Sequence, residues 1–365
     1  MRLEKRNETS AVTLVVAPFA AVAFTLLIAA LLVLWAGAPV GKTYSLLLEG
    51  GFGSVFAWSE TLTRATPLIL TGLAATVAFK ARLFNIGAEG QLYVGAIAAV
   101  AVSLQLGHAS AAAHVIVMCL AGAAAGAAWA LIPGVLRAFG RTSEILTSLM
   151  LNYAAGYLLN YLILDSHSYW RDTTSPDAST FPVGKLLPVD WPAWGSGVVL
   201  PLGFLIAVGT AVALLVLYRY TRFGFETQVI GDSPRAARYA GMRTRRKILA
   251  VMAISGGLAG MGGASQEGDF VHKLDPDGLQ HSNFGYTGIV VAALGRYNPL
   301  AVIVVAFLIG GLQNAGYFLQ GADFPSGLVG VMQGIILFCT LGGELLVRYR
   351  VTFGRAAARA AACAA

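Results

Sequence analysis

Nine stretches of this sequence contain no Asp, Glu, Lys or Arg: 9–41, 65–79, 90–136, 145–164, 191–218, 248–266, 278–295, 297–322 and 324–343. Uncharged runs of that length cannot be kept in water, and about 20 apolar residues suffice to cross a bilayer as a helix. The 90–136 run is long enough for two spans and has a polar break at Gly107-His108, so ten spans are expected. Two are doubtful by length: 65–79 is short, and only 284–295 of the 278–295 run is convincingly apolar. Charged residues are 12% of the chain, about half of what a soluble domain carries, and mean hydropathy is +0.70. Those values exclude a disordered chain and a nucleic-acid binder despite the net charge of +7. The reading is an all-α polytopic membrane protein, a single domain over 1–365.

Arg2, Lys5 and Arg6 precede the first apolar run, which resembles a secretory signal. That run is far longer than the ~7–15 apolar residues of a signal, so a retained first helix is expected. With ten spans and the N-terminus inside, twenty of the 25 Lys and Arg residues fall on the inner side. Only Lys42, Arg64, Arg171, Lys185 and Lys273 fall outside. Such a bias places both termini in the cytoplasm.

Two polar segments stand apart from the spans. The outer loop, about 165–197, carries Asp165, Asp172, Asp177 and Asp190 with Trp170, Trp191 and Trp194. It reads either as an ordered cap that docks a partner or as an interfacial aromatic belt. The inner loop, about 219–247, holds eight of the basic residues. Within it Ser233 suits an N-cap, Pro234 the first helical position and Gly241 a left-handed C-terminal cap. Arg235, Ala236, Ala237, Arg238, Tyr239 and Ala240 lie between as a short helix. Two turns are not stable alone in water, so this helix lies against the membrane surface or against a cytoplasmic partner. In the second case Ala236, Ala237 and Ala240 supply a small face for close contact.

Two glycine-rich openings share the pattern N-x-G-x-[ET]-G: Asn85-Ile86-Gly87-Ala88-Glu89-Gly90 and Asn283-Phe284-Gly285-Tyr286-Thr287-Gly288. They open spans three and eight from opposite sides, which an inverted five-plus-five repeat would produce, and transporters use interrupted helices of this kind at substrate sites. Polar residues inside spans are Glu89 and Gln91 near the start of span three, Gln313 and Asn314 in span nine, and Gln333 in span ten. Glu144, Ser148 and Asn152 share one helical face. An ionisable group in a span is a functional candidate, whereas for most of the amides interhelical hydrogen bonding is the expected role.

Chemistry on bound groups finds no support. Cys119, Cys339 and Cys363 form no pattern, and the five histidines are scattered. Gly37-Ala38-Pro39-Val40-Gly41-Lys42-Thr43 has one residue too few between its glycines for a phosphate loop. No cofactor is expected on this chain.

Five ordered blocks carry a family likeness: Thr66–Leu73, Phe84–Tyr93, Glu144–Tyr153, Gly231–Met242 and Ala292–Leu300. Together they resemble the permeases of bacterial ABC importers for nucleosides and simple sugars, the branched-chain-type group. The resemblance implies a bacterial inner-membrane subunit that works with a second, related permease, an extracytoplasmic solute-binding protein and a cytoplasmic ATPase. ATP and Mg would then belong to that ATPase. It implies that Ser233–Gly241 is the coupling element. The candidates for the solute pathway are Asn85, Glu89, Gln91, Asn152, Gln313 and Asn314. An ion-coupled secondary transporter is the alternative, disfavoured by the shortage of intramembrane charge.

Overall fold

The structure, a computed structural model, describes residues 2–5 and 24–320 except 25, 32, 36, 38, 108, 141, 166–169 and 174–181. Beyond these it describes 331, 334, 335 and 349–352. Most of the first expected span, the whole of the last apart from those isolated positions, and Gln333 lie outside the described residues.

Contacts divide the chain into two units, Met1–Leu47 with Gly316–Ala365 and Leu48–Ala315. In the first, β1 (Arg2–Lys5) pairs antiparallel with β4 (Tyr349–Thr352), Arg2 opposite Thr352 and Lys5 opposite Tyr349. Its helical positions between Leu26 and Trp35 are apolar, and the Tyr44 hydroxyl donates to the Leu26 carbonyl.

The second unit is built of helices, which confirms an all-α polytopic membrane protein. After α1 (Val40–Phe52) comes α2 (Val55–Lys80), whose start is capped by the Ser54 hydroxyl accepting from Ala57 N at 3.0 Å. Its 26 residues far exceed the 65–79 window that looked too short. The uncharged window ended at Arg64, but Arg64 continues the helix, largely buried with its guanidinium 5.0 Å over the Phe270 ring. α3 (Ala88–Leu106) and α4 (Ala111–Gly140) are separated by Gly107 at φ +58, so the break falls where the sequence placed it. α5 (Glu144–Asn160) runs into a π turn, Tyr161–Asp165.

The outer loop is ordered where it is described. β2 (Ala193–Trp194) pairs with β3 (Leu200–Pro201), and Asp172 N donates to Val183 O at 2.9 Å. Trp191 is buried, its indole N–H donating to Met118 Sδ at 3.2 Å. Trp191 N and Leu187 N donate to Gly268 O and His272 O, so the loop is pinned to the 267–272 segment.

α6 (Leu202–Tyr220) is long and apolar enough to cross a membrane. The 219–247 segment then holds two helices where one was expected: α7 (Arg222–Asp232), capped by Thr221, and α8 (Pro234–Tyr239). The two glycines of α7 lower its propensity, and Lys247 secures it by a 2.6 Å ion pair with Glu226. α9 (Thr244–Gln266) continues into a second π turn, Glu267–Val271. α10 (Pro276–Ser282), α11 (Phe284–Leu294) and α12 (Pro299–Gln320) complete the helices. Six of the described helices are long and apolar enough to span a membrane; α11 has only 11 residues, matching the short apolar segment in the sequence.

The centre of this unit is α9 lying against α2, α3 and α4. Here backbone meets backbone. A Cβ added at Gly122 would stand 2.8 Å from Gly260 O, and one added at Gly260 would overlap Gly122 O. Small residues permit such close approach in membrane helices, where packing rather than hydrophobic collapse holds helices together.

Candidate functional site

The two glycine-rich openings, 198 positions apart in register (85 to 283), abut one another. Asn283 takes a left-handed conformation (φ 48°) with no side-chain bond to the helix it opens. The first N–H groups of α11 therefore need an external acceptor. Glu89 on α3 provides it: Oε2 accepts from Gly285 N at 2.6 Å and from Tyr286 N at 3.1 Å. Its other oxygen, Oε1, accepts from the Tyr93 hydroxyl at 2.8 Å. A helix start is also where a carboxylate is electrostatically favoured. The approach requires Gly285, since a Cβ there would run into the backbone of Ala88 and Glu89.

Asn152 makes a second joint. Its Oδ1 accepts from Gly90 N at 2.9 Å, while its Nδ2 donates to Ile86 O at 2.9 Å and to the Tyr286 hydroxyl at 3.0 Å. Beneath it, Asn85 and Gln91 exchange two hydrogen bonds of 2.9 and 3.0 Å. Asn85 also donates to Ser255 Oγ, which donates in turn to Ala74 O. Glu144 and Ser148 are buried on the Asn152 face, and Glu144 pairs with Arg137 at 3.1 Å.

These joints form one wall of a cavity of about 270 Å³. Glu89 and Tyr93 of α3, Asn152, Tyr153, Tyr157 and Asn160 of α5, Gln280 of α10 and Tyr286 of α11 line it. Of the six pathway candidates, Glu89 and Asn152 line the cavity, and Asn85 and Gln91 buttress the loop behind it. Gln313 and Asn314 lie elsewhere. Gln313 Nε2 donates to Ser282 O at 3.3 Å, and Asn314 Nδ2 donates to Gly50 O at 3.0 Å and Ala57 O at 3.2 Å. Sequence reasoning missed the tyrosines. Tyr153, Tyr157 and Asn160 follow i, i+4, i+7 spacing, which marks a shared face, but tyrosine was counted as apolar bulk. Such a wall suits a planar polar molecule: ring faces for stacking, with amides and hydroxyls as exchangeable donors and acceptors.

α8 is built as its sequence punctuation requires. Ser233 Oγ accepts from Ala236 N at 3.3 Å, Pro234 is the first helical residue, and Gly241 has φ +76. Ala237 is fully buried against the rest of the chain, whereas Ala240 is exposed. The open face is therefore Arg235, Ala236, Tyr239 and Ala240, with Tyr239 98% exposed.

Six helices long and apolar enough to cross a membrane, and beside them a cavity walled by uncharged polar groups and one internally bonded carboxylate, are features that suit a solute permease. The chain belongs to the family of branched-chain amino acid transport system permease components, whose profile matches residues 57–341. It is 33% identical over 322 residues to the guanosine ABC transporter permease protein NupP of Bacillus subtilis, covering 88% of this chain and 91% of that one. Over 327 residues it is 36% identical to a glucose ABC transporter permease protein of Haloferax volcanii, covering 84% and 82%. A galactofuranose transporter permease protein of Escherichia coli is 28% identical over 329 residues, covering 86% and 87%. The protein is a permease subunit of an ABC importer, a multi-pass membrane transport subunit.

Proposed function

We propose that the cavity passes a neutral, ring-bearing polar solute, a nucleoside or a simple sugar, into the cell. The observation that carries this reading is the wall itself, with four tyrosines, three amide side chains and a carboxylate whose oxygens already hold three donors. An anionic solute would find no cationic side chain there, and the one carboxylate is already bonded to three donors. The names of the similar permeases, for guanosine, glucose and galactofuranose, support the same class.

In this reading the chain is one permease domain of about ten spans in an inverted repeat, in the bacterial inner membrane with both termini cytoplasmic. Glu89 and Asn152 touch the pathway, with Asn85, Gln91, Gln313 and Asn314 holding the helices around it. A solute-binding protein delivers to the outer face and a second permease completes the pathway. A cytoplasmic ATPase, holding the ATP and Mg, docks on Ser233–Gly241. The exposed Tyr239 is a suitable anchor for that docking, since tyrosine is enriched among residues that dominate interfaces.

Uptake into vesicles tests the reading. Transport of a nucleoside or sugar should need the added ATPase and ATP, and uptake driven by an ion gradient without ATP would refute it. Ala236→Glu or Tyr239→Ala should abolish ATPase capture and uptake together while leaving the amount of folded permease unchanged. Ala237→Glu is a poorer test, because its buried position makes loss of folding the expected outcome.

A further inference from the structure

Several exposed arginines at one end of the second unit have no carboxylate ion pair among the described residues, and five of them, Arg219, Arg222, Arg243, Arg245 and Arg246, flank the α6–α7 corner and the start of α9, apart from Arg235 and Arg238 on α8 and Arg296 after α11. That they share an end follows from contacts that tie its helices together. Lys80, closing α2, lies 4.4 Å over Tyr218 of α6, and Arg245 of α9 lies 5.3 Å over Phe139 of α4. The carboxylates at this end are already engaged: Asp232 with Arg82 at 3.3 Å, Glu144 with Arg137 at 3.1 Å and Glu226 with Lys247 at 2.6 Å. Lys247 also lies 4.2 Å over Phe223. It thus joins the α6–α7 corner, with Arg219 and Arg222, to the first turn of α9, with its three arginines.

The position of this patch points to its ligand. Arg219 is in the last turn of α6 and Arg245 and Arg246 are in the first turn of α9, where two apolar helices leave the hydrocarbon layer. Large exposed rings stand beside them: Tyr220 under Arg219, Phe139 under Arg245, and Phe225 one turn into α7. Aromatic rings flanking arginine are the arrangement of the headgroup zone. Guanidinium groups bind phosphate oxygens in pairs, and each basic residue near an anionic surface adds to attraction.

We propose that Arg219, Arg222, Arg243, Arg245 and Arg246 form a seat for the phosphate of an anionic phospholipid. The seat brackets α7 and α8, so a bound headgroup braces the segment that carries the coupling helix. The inference rests on the chain being a membrane permease and on nothing about its solute or orientation.

The full-length chain is reconstituted in bilayers of equal parts phosphatidylglycerol and phosphatidylcholine, re-extracted in mild detergent, and its retained lipid measured by mass spectrometry. Both leaflets carry the anionic lipid and no ATPase or solute is present, so neither orientation nor the transport reading affects the outcome. The wild-type chain should retain phosphatidylglycerol over phosphatidylcholine by about tenfold, with the preference shrinking as salt rises. Replacing Arg222, Arg245 and Arg246 together with Gln should bring the ratio to within about twofold of unity. Equal retention by the wild type overturns the proposal, and so does an unchanged ratio in the triple variant. Displacement of the lipid by inorganic phosphate, beyond that by chloride of equal ionic strength, would assign the seat to free phosphate and also overturn it. The pair Arg235→Gln and Arg238→Gln on α8 should keep the wild-type ratio; a matching fall would move the site to the coupling helix. If the triple variant does not fold, Arg246→Glu alone reads the same preference.

Discussion

The two long faces of α3 are joined to their neighbours by opposite means. Toward α9 the joint has almost no side chains: Gly95 and Gly263 bring α3 against α9, and Gly122 and Gly126 bring α4 against the same helix, while Ser103 and His114 bond α3 to α4 at 2.9 Å. Toward α5 and α11 the joint is made of side-chain hydrogen bonds from Glu89 and Asn152 to backbone groups. A backbone-to-backbone seam has few adjustable parts, so the structure favours α3, α4 and α9 staying together. A hydrogen-bonded joint can break and re-form without deforming backbone, at about 1–3 kcal/mol for each buried group left briefly unpaired. If the cavity is the solute pathway proposed above, relative motion is expected on the α5–α11 side.

The largest effect expected from testing that contrast is at the seam. Gly260→Val puts branched carbon into the backbone of Gly122, a strain beyond the about 1–3 kcal/mol of ordinary overpacking. Extracted protein should lose its monodisperse peak in size-exclusion chromatography, with Gly260→Ala intermediate. A well-folded Gly260→Val chain would show that the seam yields.

Glu89→Ala comes next. It leaves two buried N–H groups of α11 without an acceptor, at about 1–3 kcal/mol each. Uptake should fall about tenfold or more while the folded amount stays within about twofold, and Glu89→Gln should fall between. If Glu89→Ala instead behaves like the seam variant, the two faces do not differ in kind. Tyr157→Ala removes a ring that lines the cavity and bonds to neither joint. It should raise the KM for uptake by about threefold, as the loss of one ring contact of about 0.5–1.5 kcal/mol allows, and leave thermal stability unchanged. The smallest effect is at the boundary between the joints. Ser255→Ala removes one acceptor for Asn85 and should cost about 1 kcal/mol, read as a small fall in Tm with KM unaltered.

Much of this was legible in advance. The break at Gly107, the punctuation of α8 and the short apolar run of α11 are local properties, set by backbone conformation and side-chain size, and they fold as the sequence reads. What was not legible depends on partners. The absence of charge defines a span only from one side, so α2 looked short until Phe270 was there to receive Arg64. A buried amide reads alike whether it faces a cavity or holds a neighbouring backbone, and only the fold separates Asn152 from Asn314. The shared face of Ala237 and Ala240 depended on what α8 rests against, and the chain itself covers Ala237.

The way Glu89 is bonded has an electrical consequence. A resting bacterial membrane is negative inside, and each inorganic cation gains about 2.3 kcal/mol by falling through 100 mV. A bare carboxylate in a wetted cavity would be a stepping stone for sodium or potassium. Glu89 is a poorer step, because Tyr93 and the first turn of α11 already occupy three of the about four acceptor positions on its oxygens. On the proposed pathway, a carboxylate held this way would let the importer open to its solute with less leak of cations than a bare one.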